Sequence, residues 1–180
     1  MYRCAQRPTL RAAILAWLAL GLVATAQAKP SYRHRPAIVF VGTFDPIHEG
    51  HVSIARAARD TMGGRVLIVP LENGSAGKHP VPIANRLAMA RRAVRGMRDI
   101  EVADRATVDR YMHNREHLLD AIAKHHPLYM LYGADAYQAS IDRGYVGLDL
   151  EAGRQVVIAP REGTTLPQSL PPGVSVIPGT

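Results

Sequence analysis

Hydrophobic residues along this chain occur in short continuous runs that alternate with longer stretches of mixed polarity. The apolar runs are rich in aliphatic residues and lie at positions 38–41, 65–70, 100–103, 128–132 and 155–159, with a further candidate at 174–177. Continuous apolar runs of this length are typical of strands that are buried on both faces of a parallel sheet. The pattern therefore predicts a sheet of parallel strands.

The stretches between these runs have the spacing of amphipathic helices. One begins at about Gly50 and ends at the glycine pair that starts with Gly63. A second covers residues 83–94, with Arg86 among the arginines on its outer face, and a third takes Asn114 as its N-cap. Strands that alternate with helices predict an α/β protein with a Rossmann-like doubly wound parallel sheet.

The N-terminal segment has a different organisation from the rest of the chain. Three arginines among its first eleven residues precede an apolar stretch at 12–24, and Ala26-Gln27-Ala28 resembles a cleavage site. This layout predicts a secretory signal peptide over residues 1–28 and an exported or periplasmic domain over 29–180, with no stable membrane span after cleavage. An uncleaved membrane anchor remains an alternative, as does a cytoplasmic location if the signal is not used.

Composition and charge narrow the possible classes of function. The formal net charge of +7 suits polyanionic ligands, but no Lys/Arg run interleaved with aromatic residues indicates nucleic-acid binding. The single cysteine, Cys4, lies in the predicted signal peptide, so the predicted mature domain contains no disulfide. Its stability is expected to come from packing.

A polar stretch between the first strand and the first helix contains the candidate catalytic and phosphate-binding residues. It reads Gly42-Thr43-Phe44-Asp45-Pro46-Ile47-His48-Glu49-Gly50-His51. A loop that leads from a strand into a helix N-terminus presents N–H groups without internal partners, and these bind phosphate. His48 and His51 would add two imidazoles to that cradle. The alternative is a turn whose histidines cap the helix or face solvent.

These residues resemble the G-T-F-D-P-x-H-x-G-H signature of the adenylyl/cytidylyl-transferase superfamily. The stretch is most similar to that of nicotinate-mononucleotide adenylyltransferases, and next to that of phosphopantetheine adenylyltransferases. Val41 departs from the pattern, because the adenylyltransferases usually carry a glycine there. Three later segments extend the resemblance: Asn85-Arg86-Leu87-Ala88-Met89, Tyr132-Gly133-Ala134-Asp135-Ala136, and a strand that ends in Arg161-Glu162-Gly163.

The resemblance implies transfer of AMP from ATP to a phosphate-bearing small molecule similar to nicotinate mononucleotide, with release of pyrophosphate. His48 and His51 would be the catalytic residues. Nucleotide-binding roles would fall to Gly42, Thr43, Phe44, Asp45, Lys78, Arg86, Gly133 and Asp135. Mg²⁺ would accompany ATP, held largely by phosphate oxygens and water rather than by protein ligands.

Two alternatives to this function remain open at the level of sequence. The family's second signature, a serine- and threonine-rich helix start with a basic residue, does not occur before Thr180, so the C-terminal part is expected to be missing. A catalytically impaired nucleotide- or phosphate-binding domain is therefore the main alternative. A remote one is an exported zinc-dependent hydrolase, because His113 and His117 belong to an H-x-x-E-H pattern.

Overall fold

Six parallel strands form one sheet in the computed structural model, which describes residues 35–73, 79–160 and 166–177. The strands are β1 (Ala37–Gly42), β2 (Arg65–Pro70), β3 (Ile100–Val102), β4 (Leu128–Gly133), β5 (Gln155–Ala159) and β6 (Val174–Val176). Their order is β3-β2-β1-β4-β5-β6, so the chain reverses its direction of winding between β1 and β4. This is the Rossmann-like doubly wound sheet that the sequence predicts.

Five helices cover the two faces of the sheet within the described ranges. They are α1 (Glu49–Met62), α2 (Ile83–Ala93), α3 (Arg105–Ala123), α4 (Ala134–Asp142) and α5 (Tyr145–Glu151). Alternate residues of β1 belong to different cores, because Ile38 and Phe40 pack in one cluster and Val39 and Val41 in the other. A strand that supplies two cores must be apolar at every position, which explains its continuous hydrophobic run.

The third helix begins earlier than the sequence analysis predicts. Asp104 is its N-cap, and the Asp104 carboxylate accepts a hydrogen bond from the Thr107 N–H at 2.7 Å. The prediction that Asn114 is an N-cap is wrong, since Asn114 lies inside α3 at a kink with φ −149° and ψ 54°. The first half of α3 buries only a narrow stripe, with Val108 and Tyr111, and its periodicity is correspondingly weak.

Two helices between β4 and β5 were not predicted. Gly133 ends β4 and is at once the N-cap of α4, and Gly144, with φ 77°, separates α4 from α5. Glycine adopts this left-handed conformation without the steric cost of a side chain. Both helices are short, and α5 buries only Val146 and Asp149.

Some sequence predictions lie outside the described residues. These are the signal peptide over residues 1–28, Lys78, and the Arg161-Glu162-Gly163 segment. In the part of the chain that is described, no helix is both long enough and apolar enough to span a bilayer.

Candidate nucleotide-binding site

A cavity of about 940 Å³ opens where the carboxyl ends of β1 and β4 meet. In open parallel sheets, ligands bind at this position, where the winding reverses and the loops of neighbouring strands diverge. The cavity is lined by the signature loop (residues 42–48), by the start of α1, by the β4–α4 junction and by parts of α3 and α5. The sequence-predicted segments around Gly42 and Gly133 are therefore brought together by the fold.

Phe44 determines the shape of the signature loop. Its φ of 48° lies in the left-handed region, which is strained for a bulky residue. The ring is only 2% exposed, and its centroid lies 5.1 Å from that of Phe40 and 5.0 Å from that of His51. A Cβ at Gly42 would lie 3.0 Å from the tip of the Phe44 ring. Phe44 therefore supports the loop from beneath, and Gly42 leaves room for its ring.

His48 and His51 stand together at the N-terminus of α1. Their ring centroids are 3.9 Å apart, and His48 is the N-cap residue while His51 occupies the N3 position. The backbone N–H of His48 donates to Nδ1 of His51 at 3.3 Å. Because Nδ1 accepts this bond, the neutral His51 ring carries its proton on Nε2. The pair thus lies at the positive end of the helix dipole, where an anion is stabilised.

Arg86 is buried, so the prediction that its side chain lies on the outer face of α2 is wrong. Its relative exposure is 0%. The guanidinium donates to four carbonyl oxygens, those of Val81, Thr43, Leu71 and Glu72, at 2.7–2.8 Å. These carbonyls belong to the signature loop, to the segment after β2 and to the segment before α2. Burial lowers the pKa of Arg86. Its bonds to backbone oxygens make it a residue that joins three segments around the site.

Asp45 makes a second connection between the signature loop and the segment before α2. Its Oδ2 accepts a hydrogen bond from the Val81 N–H at 2.9 Å. Thr43 is half-buried, lines the cavity and contributes its carbonyl to Arg86. The loop is therefore held by its own carboxylate and by the arginine from α2. This arrangement presents a preorganised loop to a ligand.

Gly133 and Asp135 form the β4 side of the cavity. Gly133 is the N-cap of α4, and Asp135 lies exposed in the first turn of that helix. A Cβ at Gly133 would lie 3.0 Å from Oδ1 of Asp135, so the carboxylate folds back over the glycine. The structure thus brings both residues to the cavity, and their contacts with a nucleotide stay predictions.

A buried polar network behind the cavity was missed by the sequence analysis. Asp149 is fully buried and accepts hydrogen bonds from the Tyr132 hydroxyl at 3.0 Å and from Arg115 Nη2 at 2.6 Å. Burial raises the pKa of Tyr132 well above its usual range, and the neighbouring Asp149 charge adds to the effect. Because the three residues come from β4, α5 and α3, no local motif links them.

The H-x-x-E-H segment does not form a recognisable metal site. His113 and His117 are exposed on either side of the Asn114 kink, and Glu116 pairs instead with Arg115 and with Arg154. Nowhere in ranges 35–73, 79–160 and 166–177 do three or more His, Cys, Asp or Glu side chains lie close enough to hold a metal ion.

Fold and site together are those of a Rossmann-like nucleotidyltransferase domain. The model of the Cytidylyltransferase-like family matches residues 39–175, and the chain belongs to this family. The match includes most of β1, the signature loop, the β4–α4 junction and most of β6.

Within this family, the chain is similar to proteins named as nicotinate-nucleotide adenylyltransferases. A Laribacter hongkongensis protein named "Probable nicotinate-nucleotide adenylyltransferase" is 34% identical over 145 residues, which are 76% of this chain and 64% of that protein. A Roseiflexus protein with the same name is 40% identical over 108 residues, which are 56% of this chain and 53% of that protein. The chain thus spans between about half and two thirds of the length of these relatives.

A solved structure has the same fold. Plasmodium falciparum nicotinic acid mononucleotide adenylyltransferase, complexed with NaAD, matches with a TM-score of 0.56 and 15% sequence identity. The match covers 80% of this chain and 75% of that chain. At this identity, the similarity concerns the fold alone.

Proposed function

We propose that this protein transfers AMP from ATP to the phosphate of an acceptor similar to nicotinate mononucleotide and releases pyrophosphate. The observation that carries the proposal is the pair His48 and His51, whose ring centroids lie 3.9 Å apart at the N-terminus of α1 and which line the cavity. The names of the relatives support the choice of acceptor. Family membership supports the class of reaction.

In this reaction, a phosphate oxygen of the acceptor attacks the α-phosphorus of ATP. A new P–O bond forms, the bond to the bridging oxygen breaks, and its electron pair leaves with pyrophosphate. No proton transfer to a protein base is needed. The protein has to align two anions and stabilise the charge that grows on the phosphoryl oxygens.

The paired imidazoles suit this task. With Nδ1 of His51 accepting from the His48 backbone, Nε2–H is the donor that can meet a phosphoryl oxygen. Thr43 would offer its hydroxyl and N–H to the phosphates, and Lys78 would approach the same anions. Asp135 would meet the ribose hydroxyls, close to the glycine that lets the backbone approach.

Magnesium fits the site only as a companion of the triphosphate. The Asp45 carboxylate is bonded to the Val81 N–H, and the described residues contain no group of three metal-ligating side chains. Mg²⁺ commonly keeps several waters and binds through phosphate oxygens, where it neutralises charge. Arg86 is proposed to act indirectly, by holding the loop that contacts the phosphates.

The proposed location is outside the cytoplasm, after cleavage of residues 1–28. The basic start, apolar stretch and small-residue cleavage site support it. A nucleotidyltransferase in such a compartment would need a supply of ATP there. Membrane anchoring or cytoplasmic retention are the alternatives.

The catalytic role of His51 can be tested by pyrophosphate release from ATP, Mg²⁺ and nicotinate mononucleotide. The His51→Ala variant is expected to lose about 100-fold or more of the rate, because a donor to the transition-state oxygens is removed. His113→Ala is the matched control, since His113 is exposed on α3 and does not line the cavity. It should keep the wild-type rate.

Other results would change the proposal in defined ways. Full turnover by His51→Ala would contradict the assigned role. ATP binding without any pyrophosphate release by the wild type would favour the alternative of a catalytically impaired nucleotide-binding domain.

A further inference from the structure

We propose that Asp149 is a positioning residue for the acceptor side of the cavity, and that it acts through Arg115 and Tyr132. The inference rests on the proposed function, because it concerns the second substrate of that reaction. Asp149 does not itself line the cavity, whereas Arg115 and Tyr132 do. Its effect on substrate binding would therefore be exerted through these two side chains.

Both oxygens of the Asp149 carboxylate are used. Oδ2 accepts from the Tyr132 hydroxyl at 3.0 Å, and Oδ1 accepts from Arg115 Nη2 at 2.6 Å. Arg154 Nη1 approaches Oδ1 at 3.4 Å. A carboxylate that is fully buried is stable only when it is paired and hydrogen-bonded. Its charge is therefore used to fix the three groups that surround it.

Arg115 connects Asp149 to the tyrosine rings of the cavity wall. Its guanidinium carbon lies 5.6 Å from the centroids of both the Tyr111 and the Tyr145 rings. Its Nε donates to the Tyr111 hydroxyl at 3.0 Å. Tyr145 is 45% exposed and lines the cavity, so this cation–π contact with Arg115 helps to place a ring that a substrate can reach.

This wall is built by other elements than the part of the cavity that is proposed to hold the triphosphate. Tyr111 and Arg115 come from α3 and Tyr145 begins α5, whereas His51 lies in α1 and His48 is the N-cap of that helix. Arg86 and Asp45 organise the signature loop through other bonds. The geometry therefore assigns the α3–α5 wall to the substrate that the signature loop does not hold, which is the acceptor.

Replacing Asp149 by Asn keeps the shape of the side chain but removes its charge. Arg115 would lose its buried anionic partner at Nη2 and keep the bonds of Nε to Tyr111 and of Nη1 to Glu116. The position of its fork between the two tyrosine rings would therefore be less tightly fixed. Asp120→Asn is the matched control. Asp120 also pairs with this network, through Arg154 Nη2 at 2.7 Å, but its side chain is 63% exposed and it does not line the cavity.

The test is steady-state pyrophosphate release by the full chain, with ATP and nicotinate mononucleotide varied in turn. Asp149→Asn is expected to raise the KM for nicotinate mononucleotide about tenfold, while the KM for ATP and kcat change less than about twofold. Asp120→Asn should leave all three parameters unchanged. Tyr132→Phe should raise the same KM by a smaller factor, because it removes only one of the bonds to Asp149.

The kinetic parameters of these variants decide whether Asp149 positions the acceptor side of the cavity. An Asp149→Asn enzyme with unchanged parameters would overturn the positioning role and leave the proposed function intact, as would equal increases in both KM values. If that variant does not fold, Arg115→Lys replaces it, and an unchanged acceptor KM there overturns the role. A wild-type protein that releases no pyrophosphate would overturn the proposed function, and this inference with it.

Discussion

Arg86 joins three separate segments around the signature loop through a single buried guanidinium. It bonds to backbone carbonyls before α2, after β2 and within the loop itself. Backbone carbonyls that lose their partners in a buried position cost free energy because water cannot replace the missing donors. Arg86 should therefore matter for stability as well as for the shape of the site.

Removal of this side chain is expected to destabilise the fold strongly. Arg86→Ala leaves four carbonyls without their donor and should lower the free energy of unfolding by about 3 kcal/mol or more, since each buried acceptor that loses its partner costs roughly 1–3 kcal/mol. Urea unfolding would measure the change. Arg92→Ala, at an exposed position on the same helix, is expected to change stability by less than about 0.5 kcal/mol. A similar small change for both variants would contradict the assigned role of Arg86.

At the scale of elements, helix ends organise both the site and the fold around it. The N-terminus of α1 carries the histidine pair, and the N-terminus of α4 brings Asp135 to the cavity. The start of α3 is set by Asp104, which caps the helix through the Thr107 N–H. That cap decides where α3 begins, and α3 carries Tyr111 and Arg115 into the cavity wall.

The Asp104 cap should contribute to stability in a pH-dependent way. Hydrogen bonds from Thr107 lower the pKa of Asp104 in the folded protein. A lowered folded pKa means that the stabilisation is present above the unfolded value of about 3.9 and is lost as the pH falls through the folded value. Asp104→Ala should lower the Tm at neutral pH, and this difference should disappear in acid.

Thermal unfolding as a function of pH measures this effect. Asp104→Asn is the control, because an asparagine oxygen can still accept from the helix N–H groups. It should retain most of the neutral-pH stability. A Tm difference for the alanine variant that persists unchanged below the folded pKa would show that the carboxylate is not the cause.

At the scale of the whole molecule, the order of the strands assembles the site. Signature-loop residues follow β1, and Gly133 ends β4, far along the chain. They become neighbours because β4 pairs in parallel with β1, with Ala37 opposite Leu128 and Phe40 opposite Leu131. The two carboxyl ends then meet at the reversal of winding, where a cavity forms.

The proposed export of the whole chain has a direct test. Expression of the full chain in a bacterium should yield a mature form that begins at Lys29 in the periplasmic fraction. Mass spectrometry of that fraction would identify the N-terminus. Arg3, Arg7 and Arg11 replaced together by Glu should retain the protein in the cytoplasm, because the basic start of a signal is required for its function. An unprocessed wild type in the cytoplasm would refute export.

Local patterns allowed much of the sheet to be predicted. The bounds of β2 and β5 agree with the apolar runs, and α1 ends at the predicted glycine. These elements are long or uniformly apolar, so their periodicity is clear. Helices α4 and α5 escaped prediction because they are short, and α5 leaves Tyr145 and Leu148 exposed, which weakens the pattern.

The sequence by itself determined the α/β class, the signature loop and its histidine pair, because each depends on residues that are close in the chain. The tertiary structure alone decided that Arg86 is buried and that Asp149 orders Arg115. Arg86 reaches Thr43 across 43 positions, and Arg115 reaches Asp149 across 34. Contacts of this range depend on how separate elements pack. A charged side chain is therefore predicted to be exposed from the sequence, because the carbonyls or carboxylates that bond it in a buried position come from distant parts of the chain.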